Sequence, residues 1–388
     1  MTKPLSETAE CLKPSGIRKF FDIVSEMKDA LSLGVGEPDF DTPWHIRDEG
    51  IFALEKGKTF YTSNAGLKDL REEIRNYMIK SLNISYDLKE ILVTVGGSEA
   101  IDIGLRALVN PYDEVIIPQP SYVSYEPCAL LAGAKPVIIN LKSENDFKLM
   151  PDELQNSISA KSKVLILPYP NNPTGAIMEQ EDLEKISKII IENDLYVISD
   201  EIYSELTYKG RHVSIASIEG MKERTILING FSKSYAMTGW RLGYACGAEK
   251  IIKQMTKIHQ FAVMCAPTVS QYAAIEALKN GDKDIQAMRQ VYNQRRRFLL
   301  EAFREINLEC FEPCGAFYVF PSIKEFGISS EEFASEFLKR EHVAVVPGNA
   351  FGECGEGYVR ISYAYSLETL QTAMERLKHF VSGLRNRG

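Results

Sequence analysis

Residues 225–241 read Thr225-Ile226-Leu227-Ile228-Asn229-Gly230-Phe231-Ser232-Lys233-Ser234-Tyr235-Ala236-Met237-Thr238-Gly239-Trp240-Arg241. Thr225 to Ile228 is an almost continuously apolar run, the pattern of a strand covered on both faces. The chain then passes through Gly230 into a turn of small residues that carries a lysine, with an arginine eight positions beyond it. An amine and an anion clamp are thereby held together at a strand end.

Working outward, six further apolar runs stand out: Ile91 to Val95, Glu114 to Ile117, Lys135 to Leu141, Val164 to Leu167, Tyr196 to Ser199 and Leu242 to Cys246. Amphipathic helical stretches such as Ser98 to Leu108 and Glu181 to Glu192 separate several of them. This alternation predicts an α/β protein with a mainly parallel sheet. Open sheets of that class bind ligands beyond the carboxyl ends of their strands. Asn172, Asp200, Lys233 and the Gly96-Gly97-Ser98 turn each follow one of these runs, so four chain segments deliver chemistry to one edge. A long helical region, Lys250 to about Ile306, precedes shorter elements at Ala316 to Phe320, Ser330 to Glu341, Val343 to Val346, Tyr358 to Ser362 and Leu367 to Leu384. A second, smaller domain is expected there.

The 388 residues, 45% hydrophobic and 25% charged, fit a soluble protein of about two domains. The net charge of -8 argues against a nucleic-acid partner. Arg295-Arg296-Arg297 lies in a charged helical pattern and reads as a solvated face. Seven cysteines without a Cys-x-x-Cys pair make no disulfide framework. Cys310 and Cys314 read as a turn between strands, since no histidine lies near them to complete a metal site. No signal peptide and no membrane-spanning run is evident, so the expected compartment is the cytoplasm.

Pyridoxal 5'-phosphate has an aldehyde for the amine and a phosphate for the clamp. The Gly230–Arg241 stretch resembles the lysine-attachment signature of the class I aminotransferases, the fold-type I pyridoxal-phosphate enzymes. Pro170-Asn171-Asn172-Pro173-Thr174-Gly175, Ser199-Asp200-Glu201-Ile202-Tyr203 and Tyr358-Val359-Arg360-Ile361-Ser362 occur in that family's order. The similarity runs from Ser15-Gly16-Ile17-Arg18 to the C-terminal helix. It is greatest to the aromatic and aspartate aminotransferase branch, with Gly-Glu-Pro-Asp-Phe at Gly36 to Phe40. The resemblance implies a mainly parallel seven-stranded sheet with helices on both faces plus a smaller α+β domain. The large cofactor-binding domain would span 46–285, and 1–45 would join 286–388 in the small one.

By the same resemblance Lys233 holds the cofactor as a Schiff base and, once displaced, serves as the general base at the substrate α-carbon. Arg241 and Ser232 bind the phosphate, with Gly97, Ser98 and Glu99 as the other half of the cup. A Gly-Gly-Ser turn is also simply a tight strand-to-helix connection, whether or not phosphate binds. Asp200 reads either as a helix N-cap or as the carboxylate that keeps the pyridine nitrogen protonated. Tyr203 and Asn172 face the 3'-oxygen. Tyr122 either stacks on the ring or is a plain core tyrosine. Arg360 is a structural salt bridge or a bidentate clamp on the substrate α-carboxylate, helped by Asn172 and the Gly36 backbone. Tyr61 would reach across a homodimer to the neighbouring phosphate.

Relatives specialised for dicarboxylates supply a basic side chain, which in one bacterial aspartate branch falls at the position of Ser98. The segment that covers the substrate there reads Ser15-Gly16-Ile17, with apolar Ile17 where a hydroxyl would bind. Both departures favour aromatic or apolar donors, with 2-oxoglutarate as acceptor in a ping-pong exchange. Aspartate aminotransferase and a C-S β-lyase on the same scaffold are the alternatives. A cofactor-retaining regulator is disfavoured, because about fifteen residues before the first motif leave no room for a DNA-binding region.

Overall fold

The computed structural model describes residues 3–12, 14 and 30–386. The expectations for Ser15, Gly16, Ile17 and Arg18 lie outside the described residues. A short helix, α1 (Glu7–Cys11), and a two-residue strand, β1 (Leu31–Ser32), come first. The chain then alternates helix and strand: α2 (Trp44–Glu55), α3 (Lys68–Tyr77), β2 (Ile91–Thr94), α4 (Gly96–Leu108), β3 (Glu114–Gln119), α5 (Tyr125–Leu131), β4 (Lys135–Asn140) and α6 (Pro151–Ser157). β5 (Ser162–Leu167), α7 (Gln180–Glu192), β6 (Tyr196–Asp200), β7 (Thr225–Gly230) and β8 (Gly243–Cys246) complete a seven-stranded sheet ordered β2-β8-β7-β6-β5-β3-β4. β8 is antiparallel to both its neighbours, so β2 and β3 to β7 all point one way. The expected mainly parallel α/β sheet is what the chain forms.

Side-chain alternation decides which helix each strand residue meets. In β6, Val197 packs with Leu183, Ile186 and Ile190 of α7, whereas Ile198 faces Ala100 and Ile103 of α4. In β2, Ile91 and Val93 meet Leu70 and Ile74 of α3, while Leu92 joins the α4 side. Both faces are therefore dry, and near-continuous apolar runs result. The exception is β4, an edge strand, where Lys135, Ile138 and Asn140 are exposed.

The long helical region is three helices. α8 (Glu249–Ala262) packs along α4, Pro267 sets the start of α9 (Thr268–Asn280), and Gly281 separates it from α10 (Asp282–Glu305). Beyond α10 come β9 (Tyr318–Val319), α11 (Ser330–Glu341), β10 (Val343–Ala344), β11 (Val346–Pro347), β12 (Val359–Ser362) and α12 (Leu367–Arg385). The run at Val343 to Val346 splits, because β10 pairs in parallel with β1 while β11 joins β12 and β9 in an antiparallel sheet. Phe337 of α11 stacks on Phe380 of α12 and Phe333 meets the same ring edge-on, in a second core.

Two members of the arginine run correct its sequence reading, while Arg297 is exposed as expected. Arg295 and Arg296 are 8% exposed, not solvated. Arg295 donates both terminal nitrogens to Asp39 at 2.7 and 2.8 Å, and Arg296 donates to Glu312 and to the Pro313 carbonyl. All seven cysteines are free, and no metal-binding cluster occurs among the described residues.

Candidate active site

The loops after β2, β3, β5, β6 and β7 leave the same edge and enclose a cavity of about 410 Å³. Its wall brings together Lys233, Asp200, Tyr203, Asn172, Arg360 and Arg241, with Ser232, Tyr122, Gly36, Gly97 and Ser98 between them. Glu99 and Tyr61 are not in the wall, and Ile17 lies outside the described residues.

Lys233 follows β7, and its Nζ donates to the Gly36 carbonyl at 2.5 Å. Burial, with the charges of Arg360 and Arg241, brings its ammonium down to about 8, although Glu37 opposes the shift. An amine poised in this way is available as nucleophile and base near neutral pH. Asp200 ends β6. Its carboxylate accepts the Tyr125 hydroxyl at 2.8 Å and the Ile202 N–H at 3.2 Å. No helix starts on it, so the cap reading falls. Burial pushes its carboxyl above the usual range, and those two hydrogen bonds draw it back.

Gly96 starts α4 at φ +75°, and a Cβ there would come within 2.7 Å of Arg241 Nη2. Only glycine lets the guanidinium lie over the helix start, where free N–H groups already favour an anion. Arg241 itself takes a left-handed backbone (φ 51°) and donates to the Thr238 carbonyl. The side chain of Glu99 points away. Its oxygens take the Val95 N–H at 2.5 Å and His259 Nδ1 at 2.7 Å, because a carboxylate in a first helical turn is drawn to unpaired N–H groups.

Arg360, on β12, is 2% exposed. It donates to Asn172 Oδ1 at 2.8 Å and to the Gly34 carbonyl at 2.5 Å, and it lies 4.4 Å from the Tyr318 ring centre and 4.7 Å from that of Phe351. It pairs with no carboxylate among the described residues, so the salt-bridge reading falls, and its Nε has no partner. A cation kept from water this way calls for an anion to complete it.

Tyr203 does not stand open to the cavity alone, since its hydroxyl meets that of Tyr318 at 2.8 Å. Tyr122 lines the cavity and packs edge-on against Tyr125. Tyr125 and Tyr318 were missed by sequence reasoning. Tyr125 lies three residues after Tyr122, and Tyr318 lies inside the apolar run at Ala316 to Phe320, where nothing marks it as polar machinery. A Cβ on Gly36 would meet the Tyr318 hydroxyl at 2.3 Å, so the close approach of that loop is glycine-dependent. Glu37 and Thr238 also line the wall and hydrogen-bond each other. Tyr61 is 81% exposed, beside Phe60 at 81%.

A group bearing an aldehyde, a basic ring nitrogen and a phosphate meets a complementary residue for each function here: an amine of lowered pKa, a buried carboxylate, and a guanidinium over a glycine turn. The fit to pyridoxal phosphate is therefore chemical as well as spatial.

Comparison with known proteins agrees. The family described as aminotransferase class I and II matches residues 28–377. An aspartate aminotransferase of Pyrococcus abyssi is 47% identical over 378 residues, covering 96% of this chain and 97% of its own. Aromatic-amino-acid aminotransferase 2 of Thermococcus litoralis is 44% identical, covering 96% and 97%. The crystal structure of an aromatic aminotransferase from Pyrococcus horikoshii superposes with a TM-score of 0.91 at 46% identity, covering 95% and 99%. With the motifs, the sheet and the cavity in agreement, the chain belongs to the class I and II aminotransferases and is a pyridoxal-phosphate-dependent transaminase.

Proposed function

We propose that this aminotransferase moves the amino group of an aromatic or other amino acid to 2-oxoglutarate by ping-pong exchange, as a cytoplasmic homodimer with shared active sites. The observation that carries the reading is Arg360, a buried guanidinium without a carboxylate partner among the described residues, in the same cavity as Lys233. Every amino acid and 2-oxo acid brings the anion it lacks.

Bound pyridoxal phosphate supplies a carbonyl for the amino group and a ring that accepts the electron pair left when the α-proton departs. With the cofactor bound, Lys233 Nζ would be the base that takes that proton and would return it at C4'. Asp200, whose carboxylate Tyr125 fixes, would hold a proton on the ring nitrogen. Asn172 and Tyr203 would orient the 3'-oxygen. Asn172 also steadies Arg360 from the side. Ser232, Arg241 and the Gly97 and Ser98 N–H groups, all on the cavity wall, would hold the phosphate, and Tyr122 would stack on the ring.

Aromatic preference is supported by Ser98, which brings no charge, and by a wall containing Tyr122, Tyr318, Ile101 and Ile202. Aspartate is the second reading, favoured because the 47% identical Pyrococcus abyssi relative is an aspartate aminotransferase. The homodimer is supported by Phe60, Tyr61 and Phe261, 81%, 81% and 88% exposed. The loop carrying Phe60 and Tyr61 is tied to the segment after α8, whose last turn holds Phe261, by Thr268 donating to the Phe60 carbonyl and Asn64 donating to that of Met264. Seven free thiols suit a reducing compartment, and among the described residues no helix is long and apolar enough to cross a membrane. The division at 46–285 is supported by an apolar cluster drawn mostly from residues beyond it, although Tyr203, Leu206 and Ala236 also enter that cluster, and by the β1–β10 pairing.

Initial rates with phenylalanine, tyrosine and aspartate against 2-oxoglutarate test the proposal. Parallel double-reciprocal lines and a higher kcat/KM for the aromatic donors are expected. Faster turnover of aspartate establishes the second reading, intersecting lines exclude ping-pong, and no transfer to 2-oxoglutarate removes that acceptor.

A further inference from the structure

Glu99 and His259 form a pair behind the phosphate cup that no step above uses. Glu99 stands in the first turn of α4, with one carboxylate oxygen on the Val95 N–H at 2.5 Å and the other on His259 Nδ1 at 2.7 Å. His259 comes from α8, has no solvent exposure, and its Nε2 has no hydrogen-bond partner among the described residues. A proton on Nδ1 leaves no buried N–H unpaired, so the imidazole is the donor and the carboxylate the acceptor.

The first N–H groups of a helix lack intrahelical acceptors, and a carboxylate in the first turn ordinarily competes with any other anion for them. Here that competition is removed. The histidine holds one oxygen and the Val95 N–H, which precedes the helix, holds the other. The carboxylate is thus turned back from the cavity while Gly97 and Ser98 remain on its wall. Gly96, between the two sets of contacts, carries the Arg241 guanidinium.

We propose that Glu99 and His259 are positioning residues for phosphate. They fix the Val95-Gly96-Gly97-Ser98 turn in the shape that receives the cofactor's phosphate, without touching it. The inference rests on the placement of the phosphate cup in the proposed function.

The test compares the cofactor-free enzyme's affinity for pyridoxal 5'-phosphate with that for pyridoxal, which lacks the phosphate, using absorbance titration and inorganic phosphate as competitor. His259→Leu and Glu99→Gln should each weaken pyridoxal phosphate binding about tenfold and leave pyridoxal binding unchanged. His259→Asn, whose amide nitrogen can stand where Nδ1 does, should remain near wild type. Ile251 and Met255 of α8, which pack against α4, are untouched by these substitutions; should the leucine variant not fold, Glu99→Gln carries the same comparison. Equal losses for both ligands would show a merely structural pair and overturn the inference. So would unchanged phosphate-ester binding, or an asparagine variant as weak as the leucine one. A wild-type enzyme with no preference for the phosphorylated ligand and no competition by phosphate would instead overturn the cup itself.

Discussion

At the scale of single residues, burial makes Lys233 reactive, and that has a sign that can be measured. Its pKa is lowered to about 8 from the usual lysine value of 10.5, so the neutral amine is the main form above pH 8 and is lost as pH falls through it. The rate at which cofactor-free enzyme takes up pyridoxal phosphate should rise with pH and level off above about 8, followed by absorbance. A rate still climbing toward pH 10 would contradict the burial argument. Asp200 gives the opposite case, since its carboxyl is raised by burial and held down by the Tyr125 hydroxyl. In Tyr125→Phe that restraint goes, the carboxyl rises further, and the ionised form proposed to act at the ring nitrogen is lost at higher pH. The acid limb of kcat/KM should therefore move upward, with about a tenfold loss at neutral pH; an unmoved limb would show that the tyrosine only fills space. For Arg360→Lys, loss of the planar fork should cost about a hundredfold in kcat/KM. The loss should lie in the handling of the carboxylate, leaving cofactor affinity unchanged.

Among the secondary-structure elements, legibility follows the range of the contacts. The strands were readable because β2 and β5 to β8 are covered on both faces and show it as unbroken apolar runs. The cavity-lining loops were readable because strand direction alone puts Asn172, Asp200 and Lys233 on one edge. What escaped depended on partners far along the chain. Tyr125 meets Asp200 and Tyr318 meets Tyr203 across 75 and 115 residues, and no local pattern marks either hydroxyl. The same limit misplaced Arg295: its charged helical surroundings suggested water, whereas Asp39, 256 residues away, holds it in a bidentate pair under the Phe40 ring. That pair fastens the segment carrying Gly36 and Glu37 to α10. Asp39→Ala leaves a buried guanidinium unpaired, and a destabilisation of about 3 kcal/mol is expected, measured as a lowered denaturation midpoint. A midpoint within error of wild type would mean that the pair contributes nothing net.

At the scale of the whole molecule the residue that matters is Tyr61. Its own cavity does not include it, yet it stands almost fully exposed on a surface shared with Phe60 and Phe261. An exposed apolar surface of this kind is costly in water and suits association with a second copy through a symmetric interface. If the proposed homodimer forms there, each phosphate cup receives the tyrosine of the other subunit, and the two roles can be separated genetically. A Tyr61→Ala subunit keeps an intact Lys233, and a Lys233→Ala subunit keeps an intact Tyr61, so each homodimer alone is impaired. In a hybrid of the two, one site collects both defects and the other collects neither. Random mixing makes half the dimers hybrids with one native site of two, so about a quarter of the wild-type specific activity should return. A tyrosine serving its own subunit would give no native site in any combination, and the mixture would then show only the average of the two parents.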